Sequence, residues 1–123
     1  MIGRACIGAM VLVASCSVVS ADGYNFDVQS LHNLCKAEQG SQEFAICAGY
    51  ISGVAQLMQF IEAEADLRLR PEFREFAICS GSVSYDAMVQ AFKTWAEKNP
   101  RNGSDDKLVG VMLALRENWP CTE

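Results

Sequence analysis

The chain has 123 residues, half of them hydrophobic, with ten basic and fifteen acidic side chains and a formal net charge of −5. That length corresponds to one domain. The acidic balance argues against nucleic acid and anionic membrane surfaces as partners, because both require a basic footprint.

Residues 1–4 form a short basic start and residues 5–19 an uncharged apolar run. Val19, Ser20 and Ala21 then satisfy the small-residue rule for signal-peptidase cleavage before Asp22. The expectation is a signal peptide over residues 1–21 and a single periplasmic domain over residues 22–123. Val13, Ala14, Ser15 and Cys16 also read as a lipoprotein processing box. In that case Cys16 carries lipid, and only then is a membrane an expected partner. Of the six cysteines, export removes Cys6 and removes or acylates Cys16, which leaves Cys35, Cys47, Cys79 and Cys121. Four cysteines in an exported chain of this size point to two disulfides. No pair among them has the two-to-four-residue spacing of zinc ligands, and His32 is the one histidine, so no metal or other cofactor is expected.

Asp27 is placed to cap a first helix, with Phe26 stapled onto Leu31 across its start and Leu31, Leu34 and Cys35 facing inward. His32 lies beside that stripe and reads as a surface or half-buried residue, not a catalytic base, because no nucleophile accompanies it. Gly40 ends this helix and Ser41 caps the next, with Glu43 favourable in its first turn.

Residues 44–61 carry no charge. Gly49, Ser52, Gly53, Gln56 and Gln59 make the run less apolar than a membrane helix of that length. Phe44, Cys47, Ile51, Val54, Met58 and Ile61 recur at steps of three and four, which predicts a buried central helix. Gly49 and Gly53, one turn apart, are expected to admit another helix of the same domain at close range.

From residue 62 to residue 75 the chain reads EAEADLRLRPEFRE, and Pro71 stops any helix that reaches it. A helix end followed by an exposed loop is predicted. Held at one end by a disulfide at Cys79, such a loop can present Arg68, Arg70, Glu72 and Arg74 to a partner at low ordering cost. Ser84 then caps a third helix, with Val83 and Met88 as its staple and Tyr85, Met88, Phe92 and Trp95 as its inner stripe. Asn99 and Pro100 end it. After a short turn at residues 101–103, Ser104, Asp105 and Asp106 start the last helix, with Leu108, Val111, Met112, Leu115 and Trp119 inward and Pro120 as its stop. No run alternates with period two for long enough to be a strand. The predicted fold is all-α, a compact bundle of four main helices stapled by two disulfides.

The heptapeptide EFAICAG at residues 43–49 returns as EFAICSG at residues 75–81. The copies diverge at once, the first continuing a helix and the second entering a loop, so the likeness is local and marks no repeated unit. Cys35 and Cys47 flank the turn at Gly40 and Ser41 at similar distances, which favours their pairing across a helical hairpin. Cys79 and Cys121 would then close the C-terminal hairpin. The other two connectivities remain compatible with the sequence. Glu62, Glu64 and Asp66 fall two apart and fan out on a helix, and the sequence contains no phosphate-binding glycine loop. No enzyme is expected.

The order of these features resembles the Rap/Tai family. The residues that carry the likeness are Cys47-Ala48-Gly49-Tyr50-Ile51-Ser52-Gly53, then Phe76 to Cys79 leading into Val83-Ser84-Tyr85, then Trp95 with Asn99-Pro100, and finally Asn118-Trp119-Pro120-Cys121. They span nearly all of the domain. The chain departs from the family pattern at Ser80-Gly81, where a proline is usual, and at Asn99, where a histidine is usual. Both positions lie at loops and bear on partner specificity more than on fold. The resemblance implies a periplasmic immunity protein that binds a type VI secretion peptidoglycan amidase and blocks its active-site cleft with a projecting loop, often as a homodimer. The alternative from another class is a periplasmic acid-stress chaperone of the HdeA kind, which exposes apolar surface when its carboxylates protonate.

Overall fold

The computed structural model describes residues 26–122, so the predicted signal peptide and Cys16 lie outside the described residues. The described chain folds into α1 (Val28–Cys35), α2 (Gln42–Ala63), α3 (Ala65–Arg68), α4 (Pro71–Arg74), α5 (Tyr85–Lys98) and α6 (Lys107–Asn118), with a 3-10 turn at Pro100–Asn102 between the last two. Among the described residues there is no strand, only a single bridge between Asp27 and Asp106. The four long helices all pack on one another, as the all-α reading requires.

Three helix starts form where the capping chemistry puts them. The side chains of Asp27, Ser41 and Ser84 accept from the backbone N–H groups of Ser30, Phe44 and Ala87 at 2.8, 3.1 and 3.2 Å. Each satisfies an amide that the helix cannot pair internally, worth about 1 kcal/mol. The fourth start falls at the last residue of the expected Ser104-Asp105-Asp106 stretch. Asp106 caps α6, accepting from Leu108 N–H at 2.7 Å. The stretch before it is used elsewhere: Asp105 O and Gly103 O accept from the Val28 and Gln29 amides at the open end of α1. One helix's lead-in thus caps another helix.

The core gathers Leu31 and Val28 of α1, Ile51 and Met58 of α2, Met88, Val89 and Phe92 of α5, and Val111 and Leu115 of α6, together with Ile78 from the α4–α5 connection. The predicted inner faces of α1 and α2 hold except at Leu34 and Phe44, which are half-buried against the core. On α5, Tyr85 is exposed and Val89 and Ala96 are buried in its place. On α6 the stripe is rotated: Gly110, Val111, Ala114 and Leu115 face inward, while Leu108 stands 40% exposed and Met112 and Trp119 are half-buried.

The cause of that rotation is close approach. A Cβ on Gly110 would stand 2.5 Å from Val28 Cγ2 and 3.3 Å from Trp95 Cζ3, so only glycine lets α6 lie this near α1 and α5. Gly110→Ala should therefore cost about 1–3 kcal/mol through overpacking. In a domain of this size that lowers the melting temperature by roughly 4–8 °C per kcal/mol. A thermal melt indistinguishable from the parent would mean that α6 sits farther out.

Gly49 and Gly53 were expected to do the same job inside the domain, and they do not. Both are exposed, and a Cβ on either meets nothing within 4 Å. The helix that carries them is buried on one face only. Ile46, Leu57 and Phe60 line its outer face at 44%, 56% and 53% exposure. By length and composition α2 could cross a membrane; in this fold its Cys47, Ile51, Val54, Met58 and Ile61 face closes the core instead.

Candidate functional site

Both disulfides join the cysteines that the hairpin geometry favours. Cys35–Cys47 spans 5.1 Å between Cα atoms across the turn at Gly40, and Cys79–Cys121 spans 5.0 Å across the end of the α5–α6 pair. All four thiols are consumed, so none is available as a nucleophile or metal ligand.

The twin heptapeptides show how context decides conformation. The first lies within α2, where the helical period buries Cys47 and turns Ile46 to solvent. The second is irregular backbone, where Ile78 is buried and Cys79 exposed. The same residues present opposite sides because one copy runs at period 3.6 and the other leaves the helix after Glu75 for irregular backbone.

Residues 64–74 form the segment between α2 and this second copy. The loop expected here is two single helical turns, α3 and α4, set at an angle by Arg70, whose extended backbone precedes Pro71 at the first position of α4. Pro71 stops one turn and starts the next, a position where its missing N–H costs nothing. Backbone bonds run throughout: the amides of Leu67 and Arg68 donate to Glu64 O, Arg70 to Leu67 O, Phe73 and Arg74 to Arg70 O, and Phe76 to Phe73 O, all at 2.9–3.1 Å. Half-buried Leu67, Phe73 and Phe76 and the buried Ala77 and Ile78 tie it to the body. Gln59 Nε2 donates to Ser80 Oγ at 2.8 Å and holds its far end. The segment is therefore exposed but ordered.

Its outer surface is where the sequence placed the candidate binding residues. Arg68, Arg70, Glu72 and Arg74 are all exposed. Arg68 pairs with Glu62 at 3.5 Å and is drawn back toward the end of α2. A cleft of about 1230 Å³ lies beside the segment, walled by Arg68, Leu69, Pro71 and Arg74 on one side and by Leu113, Arg116 and Glu117 of α6 on the other, with Trp95 in its lining. Arg70 and Glu72 stand on the segment outside this cleft. The structure thus brings Arg68 and Arg74 to one cavity and leaves the other two on the adjoining surface.

The residue that sequence reasoning missed is Leu69. It is the most exposed of the large apolar side chains, at 73%, and sits at the apex between α3 and α4. A leucine flanked by two arginines and followed by proline, in a stretch with no apolar periodicity, was the available signal. Arg116 and Leu113 of the facing wall gave none, since they lie on an ordinary amphipathic helix.

His32 lies away from this site and is buried, at 7% exposure, where a surface or half-buried position was expected. Among the described residues its Nε2 has no hydrogen-bond partner and faces Glu97 Oε1 at 3.6 Å, too far for a hydrogen bond. Burial, helped by nearby Lys36 and Lys93, holds its pKa below the ordinary 6.5 against the opposing pull of Glu97. The unfolded chain then binds the proton more readily than the folded one. Its contribution to stability is present above pH 6.5 and is lost as pH falls through the lower folded value. Denaturant midpoints measured from pH 7.5 downward should fall over that window, and less steeply in His32→Gln; identical slopes in the two proteins would remove His32 as the cause.

The fold is a disulfide-stapled helical domain that carries an ordered, exposed segment with an apolar side chain and a basic flank. Residues 27–121 match the family model for Rap1a immunity proteins, and the chain belongs to that family. No curated protein and no solved structure matches it. Family membership makes it an immunity protein, a class that acts by binding a cognate effector.

Proposed function

We propose that the protein is a periplasmic inhibitor of a type VI secretion peptidoglycan amidase, and that it blocks the enzyme by inserting residues 64–75 into its active-site cleft. Family membership supports the immunity role. The observation that carries the choice of surface is Leu69, 73% exposed on a segment whose backbone is already ordered. A pre-ordered apolar tip avoids the cost of immobilising a loop on binding. The arginines around it can steer toward, and hydrogen-bond with, carboxylates on the partner.

The same reading includes a homodimer, with the outer face of α2 as the interface. Ile46, Gly49, Gly53, Leu57 and Phe60 share that face. Antiparallel crossing at the two glycines would set Ile46 of one copy near Leu57 of the other, with no charge from residue 44 to residue 61 to oppose it. Leu57→Glu should convert dimer to monomer in light scattering after gel filtration. A parent protein already monomeric at high concentration would end the dimer proposal alone.

The direct test is a panel of small peptidoglycan amidases assayed with and without the purified protein. One of them should be inhibited at a one-to-one ratio. Failure against the whole panel, with dye-detected apolar exposure and broad client binding at low pH, would favour the acid-chaperone reading instead.

A further inference from the structure

We propose that Cys79–Cys121 is a site of thiol–disulfide exchange with a dithiol partner, one that opens without unfolding the helical core. The two disulfides occupy opposite environments. Cys35 and Cys47 are both 0% exposed and belong to the core cluster. Cys79 and Cys121 are both exposed and line the open cleft beside residues 64–75. An attacking thiolate must reach a disulfide sulfur directly, so access decides which bond exchanges. The buried pair becomes reachable only when α1 and α2 separate, whereas the outer pair is reachable in the folded protein.

What surrounds Cys79 makes its opening local. Ile78 and Ser80 on either side are buried at 1% and 5%, and Ser80 is bound to Gln59 of α2. The backbone at Cys79 therefore stays anchored once its sulfur is released. Cys121 has no such anchorage: Pro120, Cys121 and Thr122 are all exposed, and the nearest backbone tie is Cys79 N–H donating to Trp119 O at 3.0 Å. Release would free residues 120–122 from the cleft wall and leave the four-helix packing in place.

The chemistry balances with the dithiol as the two-electron donor. Its thiolate bonds to one protein sulfur, the Cys79–Cys121 bond breaks, and the departing thiolate takes a proton from water. The second thiol of the partner then attacks the mixed disulfide, which leaves the protein with two thiols and the partner oxidised. The exchange claim is independent of the amidase reading. Only its consequence rests on that reading, namely weaker inhibition once the cleft wall beside the inserting segment is loosened.

The test uses the full chain with no effector present. It is treated with limiting dithiothreitol and, separately, with reduced thioredoxin, then alkylated with iodoacetamide and mapped by peptide mass spectrometry while helical circular dichroism is recorded. The expected result is alkylation of Cys79 and Cys121 with the Cys35–Cys47 bond intact and the helical signal retained. Reduction of both bonds at equal rates, or loss of helical signal in step with Cys79 labelling, would overturn the proposal. So would resistance of Cys79–Cys121 to reductant that opens oxidised glutathione.

Discussion

Leu69→Asp should abolish effector inhibition while leaving the fold intact. Leu69 is 73% exposed and contributes little to the core, so the variant should melt within about 0.5 kcal/mol of the parent. Against a partner the balance reverses. A leucine side chain that becomes fully buried against a partner contributes roughly 1.5–3 kcal/mol, about ten- to a hundredfold in Kd. A carboxylate at the same position adds the cost of burying an unpaired charge. The arginines should matter less one at a time. Arg68 is already engaged by Glu62, and rim charges act mainly on the association rate. Replacing Arg68, Arg70 and Arg74 together by alanine should slow association and weaken its salt dependence. Full inhibition by both variants would move the docking surface elsewhere.

Removal of the buried disulfide should have a large effect on stability. The Cys35–Cys47 bond links residues 12 apart, and opening a loop of that size costs about 3 kcal/mol in the chain-entropy account. Both residues are 0% exposed, so Cys35→Ala with Cys47→Ala also leaves unfilled volume at the α1–α2 contact. Set against a typical net stability of 5–15 kcal/mol, that loss is a large fraction of the whole. Chemical denaturation should show a midpoint well below the parent's. A midpoint within error of the parent's would mean that α1 and α2 are held by packing alone.

The sequence showed most clearly what local chemistry decides. Asp27, Ser41 and Ser84 cap helices in both readings because a short polar side chain before an apolar period needs no tertiary help to pair the first amides. The disulfide pairing was legible because the turn at Gly40, whose φ of 89° suits glycine, sets two helices antiparallel. Features decided by packing between distant segments were harder to read. Which of Ser104, Asp105 and Asp106 caps α6 was not readable, because Gly103 and Asp105 serve α1 and leave the cap to Asp106. Gly110 and Ala114 displaced Leu108 from the inner face because closeness to Val28 mattered more than side-chain size. Gly49 and Gly53 were assigned to the interior on a spacing argument that cannot tell an inner face from an outer one.

The candidate site divides the same way. Its charge and its location between α2 and Cys79 were readable, and Arg68, Arg70, Glu72 and Arg74 are indeed exposed. The cleft was not readable, because its far wall comes from α6, some forty residues further along the chain. Nor could periodicity show that Leu69 would stand at an apex, since that depends on two single turns meeting at Arg70 and Pro71.

Hydrogen exchange on the protein with and without its inhibited amidase tests the central claim most directly. Slowed exchange across residues 65–74 and along residues 113–117 of α6 is the predicted result. Protection confined to the outer surfaces of α1 and α5, with residues 65–74 exchanging as in the free protein, would contradict it.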